Sequence, residues 1–346
     1  MRFRKLGRTE LRVPEVSFGA WAIGGWYWGG SDDERSVAAL RAALEAGSTA
    51  VDTAPMYGFG RSERVVGRAL QGLRERAVVM TKAGLRWDDP RGELFFETAD
   101  AEGRRWRIHK NSRPDSLRHE VHASLERLGV ETIDLLQIHW PDSTTPLADS
   151  LGALLELRAQ GKLREIGVSN FSRAQLDEAE RALGGVPLAS TQERYSLLAR
   201  GIEREALPWA REHAAGVIAY SPLEQGLLTG KVTASREIRD DRSRKGTFSP
   251  AGRAAVNAAL DQAVRPIAER HGATLAQVAL AWTAAQPGIT TVLAGARSPD
   301  QARENAAAGD LSLTPPELDS IGRAFEGLDL RPRNLLARLS RRLLRR

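Results

Sequence analysis

The sequence predicts an α/β chain folded as a closed (β/α)8 barrel in one large domain, and three observations lead there. Short apolar, β-branched runs alternate with stretches of helical period along the chain, and strands separated by helices pair in parallel. Eight such runs occur, and eight units in 346 residues favour closure over an open sheet. Each run is apolar along its body, yet the residues at its end are polar or aromatic.

The chain opens with "FRKLG" and "LRV" around "RTE", which predict an N-terminal β-hairpin over residues 1–13. The eight runs that follow are "PEVSFGAW", "TAVDTA", "AVVMTK", "IDLLQIH", "LREIGVSN", "LASTQ", "GVIAYSP" and "TTVLAGA". Between them, "DDERSVAALRAALEAG" has acids in its first turn and a glycine stop, the signals of a helix start and end. "SRPDSLRHEVHASLERLG" places Leu117, Val121, Leu125 and Leu128 on one face, with Ser112 expected as its cap and Gly129 as its stop. "TPLADSLGALLELRAQGK" and "SRAQLDEAERALGG" follow the same pattern. Residues 84–112 and 222–254 are too long for simple connections, and long loops in compact domains are usually functional or disordered. Both are expected at the C-terminal face of the barrel.

Composition narrows the function classes. There are no cysteines, so disulfides and thiolate chemistry are excluded and a reducing cytoplasm is the expected location. No run is long and apolar enough to insert in a membrane. The net charge of +6 is more than accounted for by the seven arginines of the tail 331–346, which holds no acid. The body, residues 1–330, is therefore near neutral, and no nucleic-acid partner is expected. The tail places Leu335, Leu336, Leu339 and Leu343 on one side and is read as a surface extension. His119 and His122 sit three apart on a predicted helix without a third convergent ligand, so no metal is expected. His109, His213 and His271 are expected to be solvated.

In a barrel of this kind the active site lies where the strands end. Those ends carry Trp21, Asp52 with Tyr57, Lys82, His139, Ser169 with Asn170, Gln192, Tyr220 with Ser221, and Gly295 to Arg297. Four of them compose a proton donor. A lysine beside Tyr57 favours the phenolate and lowers the tyrosine pKa. Asp52 would keep Lys82 charged, and His139 would hydrogen-bond the same substrate oxygen. A tuned tyrosine suits carbonyl reduction, because the oxygen needs a proton as carbon accepts hydride.

"VDTAPMYG", "VVMTKAG", "DLLQIHWPD" and "LREIGVSNF", in that order, resemble the signature stretches of the aldo-keto reductase superfamily. "FGAWAIGGWYWGG", "AYSPLEQGLLTGK" and "GARSPDQARENAAA" extend the likeness over nearly the whole chain, and the opening loop with "GLRWDD" resembles the bacterial general-stress-type branch. The resemblance implies a (β/α)8 TIM barrel with a nicotinamide cofactor, and a tetrad of Asp52, Tyr57, Lys82 and His139. It implies cofactor contacts at Trp21, Asp52, Ser169, Asn170, Gln192, Tyr220, Ser221, Leu223 and Gly295. For the adenosine end it implies Glu304 and Asn305, with Gln301 where many members carry a basic residue. Lys231, Arg242, Arg244 and Arg297 are candidates for phosphate contacts, since arginine forks suit phosphate. NADPH/NADP+ is the expected cofactor, with NADH left open, and a small-molecule carbonyl the expected substrate. The substrate pocket is expected to draw on Trp21, Trp28, Trp87 and Trp140. Two other readings stay open: a cofactor-binding redox-sensing regulatory subunit with slow turnover, and a barrel enzyme using Lys82 as a Schiff base.

Overall fold

The computed structural model describes every residue except 101, 239, 329 and 331–346, and the side chains of 241 and 244 also fall outside the description. The basic tail with its leucines, and the Arg244 side chain, therefore lie outside the described residues.

Eight parallel strands close on themselves in chain order. They are β1 (Val16–Gly19), β2 (Ala50–Asp52), β3 (Val78–Ala83), β4 (Ile133–Ile138), β5 (Leu163–Ser169), β6 (Ser190–Arg194), β7 (Gly216–Tyr220) and β8 (Thr291–Ala294). All eight expected runs are strands, and β8 pairs back onto β1 through Leu293 and Ser17. Helices α1 (Asp33–Glu45), α2 (Arg61–Leu70), α3 (Pro114–Leu128), α4 (Leu147–Ala159), α5 (Arg173–Ala182) and α6 (Ala206–Glu212) follow the first six strands. Their apolar stripes join the outward faces of the strands in one large buried core. Asp32 caps α1 by accepting from the Arg35 amide, and Ser172 closes α5 with a capping box.

One helix start differs from the expectation. The cap of α3 is Arg113, with Pro114 in the first helical position, and the Ser112 hydroxyl has no hydrogen-bond partner among the described residues. Proline's fixed φ sets the entry without a side-chain cap, while the Ser112 amide is held by Asp142 Oδ2 at 2.9 Å. Gly129 ends the helix in the left-handed region, as its place in the sequence predicted.

The hairpin pairs Phe3–Lys5 with Arg12–Pro14. It stoppers the N-terminal mouth of the barrel. Leu6 and Val13 pack with Ala50, Met80, Leu135, Ala189, Ile218 and Leu293, which come from inside the barrel. A Cβ at Gly7 would lie 2.6 Å from the Ala189 carbonyl, so the turn can press against the strand starts only as glycine.

Both long segments are ordered at the opposite mouth. Residues 85–110 form a three-stranded antiparallel sheet of Leu85–Arg86, Glu93–Ala99 and Arg105–Lys110. His109 lies buried in this sheet rather than solvated, because its strand packs inward at Ile108 and His109. The second segment runs through short turns of 3-10 helix into α7 (Pro250–Ala259).

Candidate active site

Side chains alternate in and out along a strand, so residues two apart share the barrel interior. The layer Ala50, Met80 and Leu135 is apolar, and the next inward residues are Asp52, Lys82 and Gln137. This polar layer is completed by Gln192 of β6. All four side chains are buried, Lys82 and Gln137 fully.

Lys82 Nζ donates to Asp52 Oδ1 at 2.5 Å, to the Thr53 carbonyl at 3.0 Å and to the Tyr57 hydroxyl at 3.2 Å. The ammonium's three protons are thus matched by three acceptors. Asp52 Oδ2 accepts from Gln192 Nε2 at 2.8 Å and Gln137 Nε2 at 3.3 Å. The His139 ring stands edge-on to Tyr57, with centroids 5.9 Å apart. The four residues expected to act together are therefore gathered at the ends of β2, β3 and β4. Gln137 was not among the expected residues. Its position two before His139, on the inward register of β4, is the signal that would have found it.

Tyr57 is set by backbone packing. Its loop folds back so that Gly58 meets Gly24 of the loop after β1, and a Cβ at Gly58 would overlap the Gly24 carbonyl. Gly58 also has φ of 67°, in the left-handed region.

The electrostatics correct one expectation. Burial pushes the Tyr57 phenol above its ordinary value, and Lys82 only partly opposes this, while the Asp52 charge adds to it. Net lowering of the tyrosine is not found, because the loss of water outweighs one lysine that is itself paired with a carboxylate. Burial works against the Lys82 charge, yet Asp52 and then Tyr57 outweigh it and hold the ammonium above its usual range. Burial, with the neighbouring Lys82 charge, holds His139 well below the usual histidine range, so the imidazole is neutral.

A cavity of about 350 Å3 opens above these groups. Tyr57 and His139 form part of its floor, Ser169, Asn170, Gln192, Tyr220 and Ser221 one side, and Trp21 and Trp140 the other. The Tyr220 hydroxyl donates to Asn170 Oδ1 at 2.8 Å, and Asn170 Nδ2 donates to the His139 carbonyl at 3.1 Å. Ser169 Oγ is turned onto the Gln192 carbonyl at 2.8 Å. Phe95 and Phe96 of the added sheet complete the aromatic wall together with Trp26 and Tyr27. Sequence reasoning missed Phe95 and Phe96 because nothing in the spacing showed which face of the sheet turns inward, and Trp26 and Tyr27 because they lie in the glycine-rich loop after β1.

Two of the expected pocket tryptophans lie elsewhere. Trp87 packs edge-on against Phe59, 5.6 Å between centroids, in the aromatic cluster behind the wall. Trp28 lines a neighbouring cavity of about 270 Å3 with Trp21, Tyr27, Gln225, Arg242 and Lys245. The loop after β1 turns at Gly25, Gly29 and Gly30 and carries Trp28 toward the Arg242 side. The Trp28 Nε1 donor is buried there without a hydrogen-bond partner among the described residues.

The residues expected at the phosphate and adenosine end engage one another and the neighbouring loops. Arg242 grips Asp240 in a two-pronged contact and donates to the Gln225 carbonyl at 3.0 Å. Arg297 donates to the carbonyls of Trp28 at 3.1 Å and Gly30 at 2.7 Å, so its guanidinium bridges two loops. Gln301 Oε1 accepts from the Arg297 amide at 2.9 Å, and Asn305 Nδ2 donates to the Gly295 carbonyl at 3.1 Å. Lys231 stands 3.6 Å from Glu304, whose other carboxylate oxygen is buried and unpartnered among the described residues. Leu223, half-buried, packs against the main core.

The chain is thus a (β/α)8 oxidoreductase of the kind that works with a nicotinamide nucleotide. It belongs to the aldo/keto reductase family, whose model matches residues 15–325. It is 37% identical to the NADH-specific methylglyoxal reductase of Escherichia coli (strain K12), over 94% of this chain and 98% of that one. It is 31% identical to a probable voltage-gated potassium channel subunit beta of Arabidopsis thaliana, over 96% and 99%. Among solved structures it resembles the glycerol dehydrogenase AKR11B4 from Gluconobacter oxydans, with a TM-score of 0.83, 38% identity, and coverage of 95% and 96%.

Proposed function

We propose that this enzyme reduces aldehydes and ketones to alcohols, reversibly, with NADPH, and that Tyr57 is the residue that moves the proton. The observation carrying this reading is the Lys82 ammonium, hydrogen-bonded at once to Asp52 and to the Tyr57 hydroxyl on the floor of an open cavity. When bound, the nicotinamide supplies or accepts the hydride at carbon. Everything else falls to side chains. Neutral His139 orients the carbonyl oxygen by a hydrogen bond, and Tyr57 gives that oxygen its proton. Lys82, held charged by Asp52, stabilises the phenolate left behind, so that the proton can also return in oxidation.

The cofactor fits the side chains present. Ser169, Asn170 and Gln192 cluster on one wall, with the Tyr220 ring beside them. The unpartnered Trp28 Nε1 and the Arg242 guanidinium in the adjoining cavity suit the pyrophosphate. Lys231 beside Glu304, and Arg297 on the Trp28 and Gly30 carbonyls, add positive charge at this end, which supports NADPH over NADH. The NADH-specific relative makes that preference the point to test. Residues 1–330 act as one domain in this reading, with 331–346 appended.

Titration of intrinsic tryptophan fluorescence with NADPH and with NADH, followed by a panel of aldehydes and ketones, tests it. Tighter NADPH binding and turnover of the panel are expected. Binding of neither nucleotide overturns the reading. Tight binding with turnover too slow to sustain metabolism would favour the regulatory-subunit alternative, to which the channel-subunit relative lends support.

A further inference from the structure

Of the buried polar layer only Gln192 lines the cavity, whereas Gln137 does not. It lies behind Gln192, fully buried, and the room for it is made by Gly167. A Cβ at Gly167 would stand 3.1 Å from Gln137 Cγ and 2.7 Å from Ser190 Oγ. Gly167 pairs with Gln137 on one side and Ser190 on the other in the barrel register. A side chain as polar as glutamine is costly in such a place unless its amide is used.

Its amide is used twice. Gln137 Nε2 donates to Asp52 Oδ2 at 3.3 Å, and Gln137 Oε1 accepts from Gln192 Nε2 at 3.4 Å. Gln192 Nε2 also donates to Asp52 Oδ2, at 2.8 Å. An amide nitrogen has two protons, and both protons of Gln192 are therefore committed below the cavity floor. Only the Gln192 carbonyl oxygen is left for a ligand. A flipped Gln192 would set its oxygen against the Asp52 carboxylate and against Gln137 Oε1, acceptor against acceptor.

We propose that Gln137 is a positioning residue that fixes the orientation of Gln192, so that the cavity wall presents an acceptor and selects a cofactor ring bearing an N–H donor. This rests on the nicotinamide reading above. The carboxamide of nicotinamide offers such a donor, whereas the carboxylate of a nicotinic-acid ring offers only acceptors and a negative charge. Gln137 thereby acts on cofactor choice without touching the cofactor, through Gln192.

The test is a binding measurement. Kd values for NADP+ and for nicotinic acid adenine dinucleotide phosphate are compared by tryptophan fluorescence in wild type, Gln137→Met and Gln137→Glu. Wild type is expected to favour the amide by about tenfold or more, the scale of one mismatched buried hydrogen bond. Gln137→Met removes one of the two acceptors that hold Gln192, leaving its bond to Asp52. The preference is expected to shrink by about threefold or more, the scale of one neutral hydrogen bond. In Gln137→Glu, burial beside the Asp52 carboxylate keeps the new carboxyl protonated. Its O–H then replaces the amide donor to Asp52 Oδ2, and its carbonyl oxygen still accepts from Gln192 Nε2. The preference is expected to be kept, a result that loss of packing alone would not produce. Unchanged discrimination in a folded Gln137→Met protein overturns the proposal, as does loss of discrimination in Gln137→Glu. Failure of wild type to bind any nicotinamide nucleotide would instead overturn the underlying function. Normal binding with the wrong pattern of preference overturns only the role of Gln137.

Discussion

Lys82 Nζ, fully buried, stands 3.2 Å from the hydroxyl of Tyr57, which is half-buried at the cavity. The lysine therefore acts on the tyrosine at close range with little screening. Replacing Tyr57 by Phe removes the transferable proton while keeping the ring and its packing. Turnover is expected to fall roughly 10²–10⁴-fold, the usual contribution of a positioned acid, with the Kd for NADPH unchanged. Steady-state kinetics beside a fluorescence titration separate the two. Retained turnover would remove Tyr57 from its assigned role.

Lys82→Met tests stability as well as chemistry. The substitution leaves Asp52 charged and buried beside two amides. Breaking a buried pair by removing one partner typically costs about 3–5 kcal/mol, and urea unfolding of the variant should show a loss of that order. The double variant Lys82→Met with Asp52→Asn should recover much of it without recovering turnover.

The pH dependence follows from the directions of the shifts. The Tyr57 phenol is raised, so it keeps its proton through neutral pH and releases it only at alkaline pH. His139 is lowered and is already neutral. The kcat/KM for reduction should be flat across neutral pH and decline only on the alkaline side. That for alcohol oxidation, which needs the phenolate, should rise with pH. A reduction rate that falls as pH rises through neutrality would contradict this assignment.

Glu120 predicts a pH effect on folding. It is buried on α3, accepts from the Gly84 amide at 2.9 Å, and its second oxygen has no partner among the described residues. Burial, only partly opposed by Arg86, pushes its pKa up to about 8 from 4.5. Between those values the unfolded chain ionises and the folded one does not. The folded state then binds more protons, and its stability falls as pH rises through that window. Glu120→Gln keeps the acceptor for Gly84 and removes the titration. It should be more stable than wild type at pH of about 8 and little changed at about 5. Identical urea midpoints for the two proteins at both pH values would refute the buried-acid account.

Gly58→Ala probes the placement of Tyr57 from a distance. The added methyl meets the Gly24 carbonyl and the left-handed φ disfavours alanine. The loop is expected to shift, with turnover lost by about 10²-fold, as small misplacements of a reacting group can cause. Cofactor affinity should change far less.

The barrel and its site were legible to different depths. All eight strands could be read because apolar β-branched runs ending in polar residues are a local signal, as in "AVVMTK" before Ala83. Asp52, Tyr57, Lys82 and His139 could be placed because each lies at or just beyond a strand end, where the fold itself dictates position. The fates of Trp28 and Trp87 were not legible, since they depend on how glycine-rich loops and the added sheet cross the barrel mouth. Nor was the tyrosine's net shift, which depends on how much water the folded loops exclude. Gln137 could have been placed on the inward register of β4 from its position two before His139, but its partners show only once Gly167 is seen to make space for it beside Gln192.

The hairpin packed under Met80 and Leu135 makes the barrel a vessel with a single opening. Beneath Asp52 and Lys82 lie the apolar side chains of Ala50, Met80 and Leu135, with Leu6 and Val13 of the hairpin under them. In the proposed mechanism Tyr57 is then reprotonated from the same side on which it gives its proton away. Each turnover has to readmit water, or a proton carried by an incoming ligand, through the mouth that the substrate uses. Traffic through that mouth, and not a channel through the barrel, thus sets the rhythm of the proton cycle.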